Sequence, residues 1–83
     1  MPSRNVTGTV TFSDGARAKV DLVVDITVEV RRPNFTFVAG TIVQADPDAE
    51  SPHRLTGKKI CLTNGVVYTD PINATFRPDE PSP

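Results

Sequence analysis

"AKVDLVVDITVEV", residues 18–30, places an apolar side chain at every even position, running through Ala18, Val20, Leu22, Val24, Ile26, Val28 and Val30. The odd positions carry Lys19, Asp21, Asp25, Thr27 and Glu29, with Val23 the single apolar exception. A period of two is the signature of a strand with one face buried and the other wet. Helical spacing fails along the rest of the chain as well, so the fold class read from the sequence is all-β.

Such a strand is too long to stay straight. At about 3.3 Å per residue it would span ~43 Å, whereas a compact chain of this length has a radius of gyration near ~12 Å and a diameter of roughly 30 Å. A shorter alternating strand, residues 6–12, precedes it, joined by the turn "SDG" at 13–15, where Gly15 can take the positive φ that a tight hairpin needs. That strand reaches only the front half, about residues 16–22. The back half is left for "NFTFVAGTIVQA", residues 34–45, which follows the turn "RRPN" and alternates Phe35, Phe37, Ala39 against Thr36, Val38, Gly40. The long strand is therefore expected to be shared by two hairpins and to bend near Val23. A one-residue bulge would throw the later apolar residues onto odd positions. They remain even, which predicts smooth coiling without a bulge.

Residues 46–56, "DPDAESPHRLT", have no period and read as a mobile loop. "KKICL" and "VVYT" then flank "TNG", whose Asn64-Gly65 pair is a strong hairpin signal. After "DP" at 70–71, "INATF" supplies a last strand with Ile72, Ala74 and Phe76 on one face. The organisation expected is an N-terminal arm (1–5), a single β-barrel domain (6–76) and a disordered Pro-rich tail (77–83). Its architecture is a small meander barrel or orthogonal sandwich of five to six antiparallel strands, SH3-like or OB-like, with a long coiled second strand. A strand that serves two sheets is how such folds close. The 46–56 stretch makes a poor helix, which counts against the OB-like form.

Composition narrows the function. A net charge of -1 lacks the cationic surplus that sequence-independent nucleic-acid binding requires, so no bulk nucleic-acid partner is expected. One cysteine, Cys61, allows no internal disulfide and points to a reducing, cytoplasmic setting. No run of apolar residues is long enough for an export signal or a membrane span, so no membrane partner is expected. Asn-x-Thr triplets at Asn5, Asn34 and Asn73 are formal glycosylation acceptors. They also arise wherever a turn-forming Asn opens a Thr-rich strand.

Few residues suggest chemistry. A Cys nucleophile needs a nearby base, and Cys61 and His53 are the only candidates, one in a strand and one in the loop. No catalytic residue is assigned, and no cofactor is expected. Asp46, Asp48 and Glu50 alternate like the start of a calcium loop but lack its glycine and closing glutamate, so no metal site is expected. Asp21, Asp25 and Glu29 share a strand face, with alternate carboxylates about 13 Å apart, too far for joint acid-base work. Phe35 and Phe37, next to Arg31 and Arg32, suit base stacking with phosphate contacts, although core packing is the ordinary use of phenylalanine. "PDEP", 78–81, matches a Pro-x-x-Pro ligand only formally. Tyr68 beside the Asn-Gly turn suits an exposed contact.

Two functions follow as expectations. The first is a non-enzymatic binding module that acts through loops, a strand edge or an oligomer interface, with a protein partner or a second copy of itself. The residues placed at its contact surface are Arg31, Arg32, Phe35, Phe37, Tyr68, His53 and Arg54. The composition, rich in Ala, Arg, Asp and Pro, suggests a phage accessory protein that blocks a host component. The alternative is a barrel that binds a nucleotide or single-stranded nucleic acid.

Overall fold

The computed structural model describes residues 3–51, 53–69 and 73–79. Six strands follow in chain order: β1 (Ser3–Thr11), β2 (Arg17–Arg32), β3 (Phe35–Asp46), β4 (Lys59–Cys61), β5 (Val66–Tyr68) and β6 (Ala74–Pro78). Each pairs antiparallel with the next, and β1 pairs with β6, so the sheet is a closed meander barrel. Closure satisfies the backbone groups that an open sheet would leave at its edges.

β2 is shared as its length demands. β1 pairs with it from Arg17 to Asp25, and β3 from Asp21 to Arg32. Gly15 and Gly65 take positive φ, 94° and 71°, in the turns that follow β1 and β4. The second turn is a four-residue loop, 62–65, closed by the Cys61–Val66 pair.

The expectation of a bulge-free β2 is wrong. Ile26 opposes Gly40 while Val28 opposes Ala39, so Thr27 is an extra residue on β2. Val23 opposes Gln44 while Val24 opposes Ile42, so Val43 is an extra residue on β3, at the point where the bend was expected. An extra residue reverses which face the following side chains occupy. Ile26 is accordingly 6% exposed and Val28 44% exposed, although both are even positions. At Gly40 there is no room for a side chain: a Cβ would run into the Asp25 carbonyl and lie 2.9 Å from Val24 Cγ1.

The barrel interior holds Val10, Val20, Leu22, Val24, Ile26, Val38, Ile42, Ile60, Val67 and Phe76. Leu55 joins them at 1% exposure. The 46–56 segment is therefore no free loop. Asp48 Oδ1 accepts hydrogen bonds from the Leu55 and Thr56 amides at 3.0 and 3.4 Å, and the Gly57 amide donates to the Ile42 carbonyl at 2.7 Å. His53 stacks on Phe12 with ring centroids 4.4 Å apart, and its Nε2 lies 2.8 Å from Asp14 Oδ2. These contacts pin the segment across one end of the barrel.

The ends of the domain differ from expectation. Ser3, Arg4 and Asn5, placed in an N-terminal arm by the sequence, belong to β1, and Arg77 and Pro78, placed in the tail, belong to β6. The remainder of the tail, 80–83, the "DP" turn and Ile72 lie outside the described residues. The molecule measures 38 × 26 × 23 Å. The β2–β3 hairpin runs past its neighbours: β2 pairs with β1 only to Asp25, and β3 with β4 only to Ala39.

Candidate functional site

That hairpin, here called the finger, comprises residues 27–32 of β2 and 35–39 of β3 with the tip at Pro33 and Asn34. β1 accompanies β2 only as far as Asp25, and β4 accompanies β3 only as far as Ala39. Past that point the Leu62 amide donates to the Val38 carbonyl at 2.8 Å, and the Thr63 hydroxyl accepts from the Val38 amide at 3.4 Å. Among the described residues, 28–32 thus pair only with 35–39, and 35–37 pair only with 30–32. A two-stranded ribbon alone is marginally stable in water.

The pairing sorts the finger's side chains into two faces. Residues directly opposite in an antiparallel pair share a face. Val28 with Ala39, Val30 with Phe37, and Arg32 with Phe35 lie on the outer face. Glu29, Arg31 and Thr36 lie on the face that continues from the barrel interior, next to the buried Val38. Arg31 Nε and Glu29 Oε2 are 2.6 Å apart on that polar face. The outer face is apolar and open, with Phe35 56%, Phe37 38% and Val28 44% exposed. It continues onto the barrel's outer surface along the row that leads from Asp25 through Thr41 and Lys59 to the exposed Tyr68, whereas the neighbouring row leads from Ala39 to the fully buried Cys61.

The residues picked from the sequence are thereby divided. Arg32, Phe35 and Phe37 share one face, and Tyr68 lies farther along the same outer surface. Arg31 points away from them, paired with Glu29. His53 and Arg54 belong to the pinned 46–56 segment, His53 on Asp14 and Arg54 with its Nε 4.0 Å from Asp48 Oδ2. Phenylalanines that would ordinarily fill a core are instead on the surface. Val28, Val30 and Asp25 were not counted as contact residues, because strict alternation assigned the valines to the interior.

Other candidate chemistry is absorbed by structure. Cys61 has no exposed surface, and its Sγ lies 3.3 Å from the Thr63 hydroxyl. Burial raises its pKa, but the Thr63 hydroxyl and the Asn64 and Thr63 amides outweigh that and hold the thiol below its ordinary value. His53 is engaged elsewhere, with Phe12 and Asp14, and is no base for this thiol. Asp48 is held below the usual carboxylate range chiefly by the Thr56 hydroxyl, which outweighs the opposing effect of burial. Among the described residues no three His, Cys, Asp or Glu side chains group closely enough to hold a metal ion. No helix of the described residues is long and apolar enough to cross a membrane. Comparison with protein-family models, with curated proteins and with solved structures finds no match.

Proposed function

We propose that this chain is a non-enzymatic binding module whose working surface is the outer face of the finger. One observation carries this reading: Val28, Val30, Phe35 and Phe37 form a continuous apolar strip on a ribbon that has no third strand beside it among the described residues. Contiguous exposed apolar patches on soluble domains mark interaction sites, and aromatic side chains are favoured anchors there. A partner covering this face would remove the strip from water and support a ribbon that is marginal alone. The unpaired, buried Cys61 is consistent with work in a reducing compartment.

A photo-reactive phenylalanine analogue at position 37 tests the reading, with the same analogue at the outward-facing Lys19 as control. A defined cross-linked product from position 37 and none from position 19 is the expected result. Equal or absent labelling at both positions would remove the finger as the working surface.

A second reading, nucleotide or single-strand binding, draws on the exposed Phe35 and Phe37 beside Arg32. Only one arginine shares their face, so phosphate has a single cationic partner there. The measurement is nucleotide-induced thermal stabilisation, lost in Arg32→Ala; a native protein that shows no nucleotide response eliminates this reading.

A further inference from the structure

The side chains of Arg32 and Asp25 carry no hydrogen bond or ion pair among the described residues, and they stand at opposite ends of the finger's apolar strip. On β2 the outer face reads Arg32, Val30, Val28, Asp25, with the Thr27 bulge bringing Val28 and Asp25 into the same two-residue spacing as the rest. Cation, apolar, apolar, anion is a sequence of groups that complements its own reversal. On β3 the same four rows read Phe35, Phe37, Ala39, Thr41. Reversed upon itself, that column sets each phenylalanine against a smaller side chain, Phe37 against Ala39 and Phe35 against Thr41. Large against small is how facing layers interdigitate.

Resting on the reading of the finger as the working surface, we propose that its partner is a second copy of this chain. The two outer faces stack across a two-fold axis that runs between them, perpendicular to the strands and midway between the Val28 and Val30 rows. Arg32 of each copy then lies over Asp25 of the other, and both unpaired charges are matched twice. An interface in which the same patch serves both partners is the commonest way soluble chains pair. The strip is about 20 Å long from Arg32 to Asp25 at strand spacing. Such an area belongs to the small, reversible class of interface, so a dimer that dissociates on dilution is expected.

Sedimentation equilibrium across a wide concentration range reads the dimer directly. The native chain is expected to pass from monomer to dimer as concentration rises, and Phe37→Ser, an exposed position, is expected to stay monomeric with an unchanged far-UV spectrum. Arg32→Asp and Asp25→Arg each turn two facing attractions into two repulsions, and each is expected to weaken dimerisation by about tenfold or more. Combining the two substitutions restores opposite charges at both contacts and is expected to return dimerisation close to the native level. Rescue by the double reversal is specific to this register. A dimer insensitive to both single reversals, or unrescued by the double, overturns it. A chain monomeric at every concentration overturns self-pairing altogether. In that event a cross-link from position 37 to a species of another mass leaves the finger as the working surface, and the absence of any cross-link removes both.

Discussion

Truncation of Leu55 to alanine measures whether the β3–β4 connection is part of the barrel. A leucine with 1% exposure gives up burial worth ~1.5–3 kcal/mol, and the void left behind raises the usual total to ~2–5 kcal/mol. A value near 3 kcal/mol is expected here, because the surrounding chain cannot collapse freely into the gap. Asp48 grips the amides of Leu55 and Thr56, and His53 is fixed between Phe12 and Asp14. A chain of this length has roughly 4–12 kcal/mol of total stability, so the substitution removes a quarter of it or more. Urea denaturation, with a slope of about 1 kcal/mol per molar for a small domain, should show the midpoint falling by roughly 2–3 M. Val43→Ala, at a position 48% exposed, should change stability by no more than ~0.5 kcal/mol. A loss below ~1 kcal/mol for Leu55→Ala, with the slope unchanged, would mean that the segment lifts away at little cost and does not plug the barrel.

Two further perturbations address the strand contact at Gly40 and the tether at Asp14. Gly40→Ala places a methyl group against the Asp25 backbone and Val24, and since backbone cannot yield as a flexible side chain does, chemical denaturation should register a loss of ~2 kcal/mol or more. The Asp14 carboxyl is held below the usual carboxylate range, first by the Ala16 amide and then by His53. A depressed carboxyl contributes stability above its unfolded pKa and loses it as pH falls through the folded value. The stability gap between the native protein and Asp14→Asn should therefore be constant above pH ~5 as far as this carboxyl is concerned, and narrow as the pH drops below ~4. A gap that widened on acidification would reverse the assigned sign.

The barrel was legible because its information is local and repetitive. Alternation over residues 18–26, the Asp14-Gly15 and Asn64-Gly65 turns, and a strand too long for its domain together require two hairpins on one ribbon, and closure follows. The 46–56 segment misled because Leu55 is its single large apolar residue, set among acids and prolines, and one residue makes no pattern. Its role depends on Asp48, Asp14 and Phe12, which are close only after folding. The finger was obscured for another reason. Periodicity tells which side chains share a face, and it is blind to which face is inside. The visible warning was in β3, where Phe35, Phe37 and Ala39 compete with Val38, Gly40 and Ile42; both sets are apolar, and one of them had to be left outside.

That competition is resolved by one residue, Thr27, and its removal separates the two ways of reading β2. With the bulge, Thr27 and Val28 together oppose Ala39, and the Thr27 hydroxyl donates a long hydrogen bond to the Ala39 carbonyl at 3.5 Å. Deleting Thr27 then leaves Ile26 against Gly40 and Val28 against Ala39 in regular alternation, with every later side chain on its present face. The expected loss is about 1 kcal/mol, from altered twist alone, and the outward strip and its pairing behaviour should survive. Had β2 been regular, the same deletion would carry Val28 and Val30 from inside to outside and forfeit ~1.5–3 kcal/mol for each. Deleting Asp21, which lies in an unbulged stretch between the buried Val20 and Leu22, does reverse the faces of one half of the strand relative to the other and should prevent folding. Circular dichroism and urea denaturation of the two deletion variants therefore give opposite outcomes from lesions of equal size. If loss of Thr27 proved as damaging as loss of Asp21, the finger's phenylalanines would have to face the core, and the surface proposed for partner binding would not exist.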